Sequence, residues 1–253
     1  MSLVDPVSNA PAAVLDLPDE RALAIADYHA GIEAGLRYER GVELESAAAR
    51  RRERLLDLLD RTDADRLVVL GDLAHRISAP EGTERTEIDA LLDAVADRVT
   101  VTLAAGNHDG GVAEAFGDRL EVLPPAGGRI GPVGIVHGHT WPDPSVLSAE
   151  VVCVGHEHPR IRLVDSVGGG RSERAWLRGS LRAEPFRAEL GEAIDARWAD
   201  PDLVVFPAFN DRSGGTWINV EEESFLSPFL PAAIGDGEAY LLDGTRLGPY
   251  RAV

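Results

Sequence analysis

Five short clusters in this chain hold all seven of its histidines together with other ligand-type residues. They are Asp27-Tyr28-His29, Gly71-Asp72-Leu73-Ala74-His75, Gly106-Asn107-His108-Asp109, His137-Gly138-His139 and Gly155-His156-Glu157-His158. Imidazole, carboxylate and carboxamide groups are the donors that hold transition-metal ions. Any one cluster arises easily by chance: Gly-Asp is a common turn, and Asn-His-Asp can cap a helix. Five in this order, each closing an apolar run, point to one shared metal site. In extended backbone, residues i and i+2 face the same way, so Asp27 with His29, and His156 with His158, can each grip one site.

Such donors need elements that bring them together. Leu23-Ala24-Ile25-Ala26, Leu67–Leu70 and Val99–Leu103 read as buried strands. Between them, Leu44, Ala47, Ala48, Leu55, Leu58 and Leu59, and then Ile88, Leu91, Leu92 and Val95, recur at helical spacing. This β-α-β-α-β order implies a parallel sheet with right-handed crossovers, whose strand carboxyl ends share one ligand-binding edge. Later strands at Val133–Val136, Val151–Val154, Ile161–Val164, Arg174–Leu177 and Leu203–Phe206 are short and punctuated by Gly and Pro, as in a second, antiparallel or mixed sheet. Residues 1–20, rich in Pro, Asp and Ala, read as an irregular lead-in. Residues 21–253 then read as one domain, with a C-terminal loop at 207–231 near the site.

Composition narrows the setting. Forty-three acidic residues face 25 basic ones, all of them arginine, for a net charge of −18. Such a surface stays hydrated in concentrated salt and looks like that of a salt-adapted archaeal protein. It also argues against a broad, sequence-independent grip on nucleic acid, which needs a basic face. The one cysteine, Cys153, lies in an apolar strand and fits a reducing compartment. No secretory leader is evident, and no apolar run approaches the length that crosses a bilayer. The expected location is the cytoplasm.

The clusters follow the pattern D-x-H, G-D-x-x, G-N-H-[DE], H-G and G-H-x-H, and across residues 27–158 the chain resembles the calcineurin-like metallophosphoesterases. That resemblance implies an α/β fold of two mixed sheets sandwiched between helices, and two divalent metal ions, manganese first, with iron or zinc as substitutes. Asp27, His29 and His158 would bind the first ion, Asp72 would bridge both, and Asn107, His137 and His156 would bind the second. His108 would act beside the leaving group, with His139 as a neighbour of the ligands. The two ions would activate a water between them for in-line attack on phosphorus.

Finer features resemble one branch. His75 stands three residues after Asp72, where phosphoprotein phosphatases carry aspartate and SbcD-type nucleases carry histidine; it is the second catalytic candidate. Pro207-Ala208-Phe209-Asn210 with Gly214-Gly215-Thr216, and Tyr28-His29-Ala30-Gly31 with Glu33 and Gly41-Val42-Glu43, look like archaeal SbcD-related phosphoesterases. Their bacterial relatives are the DNA-ligase-associated phosphoesterases. The resemblance implies a nuclease on single-stranded DNA, with a role in repair. Only 95 residues follow His158, leaving little room for the DNA-gripping cap of the large nucleases. Substrate contact would fall to the 207–217 loop, where Phe209, Asn210, Arg212 and Trp217 are the candidates, Phe209 and Trp217 being equally readable as core. A phosphodiesterase or phosphatase for small nucleotides is the alternative that the acidic surface suits. A non-catalytic module of the same fold is the third reading, and the retention of His108 and every ligand position speaks against it.

Overall fold

The computed structural model describes residues 2–165, 167–195 and 197–253. The first sheet runs in chain order through β1 (Val4–Pro6), β2 (Ala12–Asp16), β3 (Arg21–Ile25), β4 (Arg66–Val69), β5 (Thr100–Ala104) and β6 (Glu121–Leu123). Strands β3 to β6 are parallel, while β1 and β2 add to β3 as an antiparallel pair. Helices α1 (Ile32–Arg40) and α2 (Ala48–Thr62) connect β3 to β4, α3 (Gly82–Val95) connects β4 to β5, and α4 (Val112–Phe116) precedes β6.

The expected irregular lead-in is therefore a correction. Val4, Ala13 and Leu15 are fully buried between the two sheets. Alanine and aspartate have little strand propensity, so the local signal there is weak; pairing with β3 and burial override it.

The second sheet comprises β7 (Gly128–Ile130), β8 (Val133–Val136), β9 (Val151–Val154), β10 (Arg160–Val164), β11 (Gly170–Ser180), β12 (Asp202–Val205), β13 (Glu238–Leu241) and β14 (Arg246–Pro249). Its order is β14-β13-β11-β12-β9-β8-β7, with β10 paired to β11. The centre, β8-β9-β12, is parallel and the flanks are antiparallel. Helix α5 (Ala183–Leu190) lies between β11 and β12.

Both faces of the first sheet are buried, as parallel strands require. Leu23, Ile25, Leu67, Val69, Val101 and Leu103 pack under Leu55, Leu58, Ile88 and Leu91 of the helices. Their alternates Ala22, Ala24, Val68 and Leu70 meet Val133, Ile135, Cys153, Val204 and Phe206 of the second sheet. The outer face of that sheet is closed by Phe186 of α5 and by Phe229 and Tyr250 from the C-terminal segment. The result is two mixed sheets flanked by helices in one domain, with Cys153 buried at its centre, where burial pushes the thiol pKa up.

One buried charge network sets α1 and α2 against the loop that follows β3. Arg51 of α2 makes a fork of 3.1 Å bonds to both carboxylate oxygens of Glu33, and its Nε donates to Glu87 Oε1 at 2.9 Å. Glu87 Oε2 in turn accepts the Gly31 backbone N–H at 2.8 Å. All three side chains are 3–5% exposed. Removing one member strands the other charges without water. Arg51→Ala is therefore expected to lower unfolding free energy by about 3–5 kcal/mol in urea titration. A loss of under about 1 kcal/mol, the level of a surface pair, would show that the network carries no stability.

Candidate metal centre

The strand ends β3 and β4 do not stop at their last ladder bonds; their loops run on side by side. The N–H groups of Asp27, His29 and Ala30 donate to the carbonyls of Gly71, Asp72 and Leu73 at 3.1, 2.8 and 2.8 Å. The backbone here is not extended, which corrects the simple i, i+2 picture. Asp27, His29, Asp72, His156 and His158 all have left-handed φ, between 44 and 66°. Non-glycine residues pay about 1–3 kcal/mol each for such strain, and it gathers at functional sites. The consequence is that His156 and His158 turn into different clusters rather than gripping one.

Three overlapping donor groups form at the shared edge: His29, His75 and His108 make one, and the other two each include a carboxylate. Asp27, His29 and His158 offer ligand atoms within 4.8 Å of one another, and so do Asp72, His137 and His156. Asp72 links them: its Oδ2 is 3.7 Å from His29 Nε2, and its Oδ1 is 3.4 Å from His137 Nε2. Asn107 joins the second cluster, its Oδ1 lying 3.2 Å from His137 Nε2. All seven ligand candidates thus converge in two adjoining groups, with Asp72 between them.

The donors fit cations. Asp27 Oδ2 and His29 Nδ1 are buried without a hydrogen-bond partner among the described residues, a costly state that a bound cation relieves. The His137 Nδ1–H donates to the Leu70 carbonyl at 2.8 Å, which turns its Nε2 toward the second cluster. The His158 Nδ1 faces the Gly214 carbonyl at 3.1 Å while its Nε2 lies 3.1 Å from Asp27 Oδ1, a contact that raises the His158 pKa against its burial. Gly71, at φ +79°, must be glycine, because a Cβ there would sit 2.2 Å from His137 Nδ1.

Burial, reinforced by neighbouring imidazoles and opposed by Asp27, lowers the pKa of His137 to about 3 and of His156 to about 4. His29 is held well below its ordinary value for the same reasons. These rings are neutral at neutral pH and ready to donate lone pairs. Burial opposes ionisation of Asp27, yet His158, His137 and His29 bring its pKa down to about 2. Burial and the nearby Asp27 and Asp109 raise Asp72 well above the carboxylate range, a repulsion that cations would reverse.

His108 and His75 sit at the first cluster. Rings of His75 and His108 stack at 5.7 Å, and each lies 5.3 Å edge-on from His29. The His108 Nδ1–H donates to the His75 carbonyl, and His108 Nε2 is 3.9 Å from Asp72 Oδ2. Both ring nitrogens of His75 lack partners among the described residues. Gly35 of α1 gives this ring its space, since a Cβ there would meet His75 Nε2 at 2.6 Å. His139 lies 5.3 Å ring to ring from His137, beside the second cluster.

The 207–217 loop needs correction at two of four candidates. Phe209 is fully buried, stacked on Tyr28 at 5.9 Å with the Arg54 guanidinium 4.1 Å over its ring, so it has no face for a base. Asn210 is also buried; its amide donates to the Tyr28 carbonyl at 2.9 Å, and it clamps the first-cluster loop rather than a substrate. Trp217 is half-buried with Arg160 6.0 Å from its ring centre, and Arg212 is partly exposed.

Two carboxylates that hold the site have no ligand role in the sequence pattern. Asp109 accepts the backbone N–H groups of Asp72, Ala74 and Gly106 at 2.8–3.0 Å, tying the second and third loops together. Glu157, fully buried between the two histidines, accepts Ser227 N–H at 2.7 Å, Thr216 Oγ1–H at 2.9 Å and Leu226 N–H at 3.1 Å. Their adjacency to ligands was the available signal. Glu157→Ala is expected to lower metal affinity by about 10–100-fold, as loss of a supporting partner does. Isothermal titration with manganese reads it, and wild-type affinity would show that the 214–227 segment does not steady His158.

The chain matches the model of the calcineurin-like phosphoesterases over residues 20–191. Among solved structures, it is similar to the nuclease MPE of Pseudomonas putida, at 18% identity and a TM-score of 0.57, over 96% of this chain and 100% of that one. It also matches YfcE, a phosphoesterase from E. coli, at 17% identity over 90% and 96% of the two chains, with a TM-score of 0.38. At these identities the structural likeness speaks to fold alone. No curated protein matches the sequence significantly. With the family pattern spanning most of the chain and its ligand positions gathered in two linked clusters, this protein belongs to the calcineurin-like phosphoesterases and is a metal-dependent phosphoesterase.

Proposed function

We propose that the protein hydrolyses phosphodiester bonds in single-stranded DNA, using two manganese ions, in cytoplasmic DNA repair. The observation that carries this reading is the His75–His108 pair beside the first cluster. A carboxylate at position 75 would repel the second ester arm of a diester strand. A neutral imidazole, its nitrogens buried without partners among the described residues, brings no such charge.

Asp27, His29 and His158 would hold one ion, Asn107, His137 and His156 the other, and Asp72 both. Bound there, the ions would neutralise phosphate oxygens and generate a nucleophile from water. The chain's own contribution is positional and acid–base. The His75 carbonyl fixes the His108 Nδ1–H, which leaves Nε2 to carry a proton to the departing oxygen. Trp217 and Arg212 flank the His158 side as substrate contacts; a half-exposed ring tolerates any base and favours unpaired strands. The similar fold of a nuclease of matching length supports the reading.

A net charge of −18 favours the second reading, a phosphodiesterase or phosphatase for small nucleotides. Manganese-loaded protein in high salt, offered single-stranded DNA, duplex DNA, a cyclic nucleotide and a chromogenic diester, separates the two. Single strands are expected to be cleaved in preference to duplex. Rapid hydrolysis of the cyclic nucleotide with DNA left intact would establish the alternative.

A further inference from the structure

Against the acidic surface, one small region is basic. A cavity of about 80 Å³ is lined by Ala47, Arg50, Arg51, Arg54, Asp211 and Arg212. It lies where the start of α2 meets the loop beyond β12. At about 30 Å³ of liquid volume per water, it has room for a few waters or one tetrahedral oxyanion.

Most of its cations are committed. Arg51 is held by Glu33 and Glu87, and Arg54 binds the Phe209 carbonyl and Asp211. Arg174 reaches Asp211 from β11 at 2.9 Å, and Arg212 Nε lies 3.8 Å from Glu33 Oε1. Arg50 stands apart: it is exposed, and among the described residues it enters none of these ion pairs. Five arginines thus face three carboxylates, an excess of positive charge. The excess is felt locally. Burial and the repulsion of Arg54 and Arg160 lower the pKa of Arg174 even beside Asp211. Asp211 is held below its ordinary value, against its burial, by Arg54, Arg174 and Arg50.

The cavity is also tied to the metal clusters. The Arg212 N–H donates to Asn210 Oδ1 at 2.7 Å, Asn210 clamps the Tyr28 carbonyl, and the Gly214 carbonyl takes the His158 Nδ1–H. Two residues of chain from Arg212 to Gly214 span at most about 7 Å, so the basic cavity adjoins the first cluster.

We infer that the cavity around Arg50 and Arg212 is a backbone-phosphate site for a single strand whose adjoining phosphodiester lies at the metal clusters. It rests on the phosphodiester reading of the centre and deepens it. It also reconciles nucleic-acid binding with an acidic chain, because one local contact replaces a basic face. Arginine is suited to the task, presenting a planar fork to phosphate oxygens. Arg54 and Arg174 anchor the loop, so the informative substitution is at Arg50, which anchors nothing.

Binding is measured by fluorescence anisotropy of a labelled oligothymidylate, on the manganese-loaded His108→Ala chain so that turnover does not interfere. Arg50→Glu in that background is expected to weaken binding about tenfold. It should also flatten the log–log salt dependence by about 0.7, the slope that one neutralised phosphate contributes on a single strand. The control is Arg61→Glu, the same charge reversal on the same helix, where Arg61 pairs at the surface with Asp57; it should weaken binding less than about twofold. Equal weakening in both variants, unchanged binding in Arg50→Glu, or no binding by the parent chain would each overturn the site. Arg50-dependent binding without cleavage by the manganese-loaded wild-type chain would keep the site and sink the nuclease reading instead.

Discussion

Asp72→Asn is expected to empty both halves of the metal centre at once. Asp72 is the group with one oxygen toward each cluster, 3.7 Å from His29 and 3.4 Å from His137. An amide offers one oxygen and no charge, so it cannot serve two cations. Metal analysis of loaded protein should fall from about two ions per chain, the content a two-metal site demands, to well below one. Turnover of a chromogenic diester should fall by about 10³-fold or more, since the several kcal/mol of charge stabilisation that metals supply correspond to a tenfold loss per 1.36 kcal/mol. The pH dependence follows from the same carboxyl. Burial, Asp27 and Asp109 raise its pKa, so protons compete with cations for this carboxyl at a higher pH than for a free one. Metal affinity should therefore rise with pH through that raised pKa. Two ions retained by Asp72→Asn, or an affinity independent of pH, would contradict its bridging position.

His108→Ala should separate chemistry from metal binding. His108 is not one of the seven ligands; it is fixed by the His75 carbonyl and by its own N–H donating to Asp72 Oδ1 at 3.0 Å. That backbone bond survives truncation, so the loop and both metal ions should remain. Turnover should fall by about 10²–10⁴-fold, the range for a positioned general acid. The loss should shrink for a diester whose leaving group is already a weak base, because such a group departs without a proton. Normal metal content with unchanged kinetics on both kinds of substrate would remove His108 from the mechanism.

Much of this architecture is legible in sequence where burial alone decides it. The runs Leu67–Leu70 and Val151–Val154 become strands β4 and β9 because both faces of each are covered, which demands continuous apolar residues. The helical spacing from Leu55 to Leu59 marks a stripe that packs on the first sheet. Strands β1, β2, β13 and β14 carry no comparable signal. They mix apolar residues with charged ones, proline or glycine, and pairing with neighbouring strands holds them in place.

The same division runs through the centre itself. Residue type and order, through the family resemblance they carry, single out the ligand candidates, which follow three strands of the first sheet and two of the second where the two sheets end side by side. Their partition does not follow from spacing. His156 and His158 separate only because left-handed backbone turns each toward a different neighbour. Phe209 and Asn210, aromatic and polar residues in a C-terminal loop, read equally well as substrate contacts or as packing. Folding decides for packing, since Tyr28 and Arg54 close over the ring and the carbonyls after β3 need the amide. Asp109 and Glu157 act through backbone N–H groups from segments up to 70 residues away. Such bonds depend on which chain segments come to lie side by side, a property of the whole fold that no local run of residues encodes.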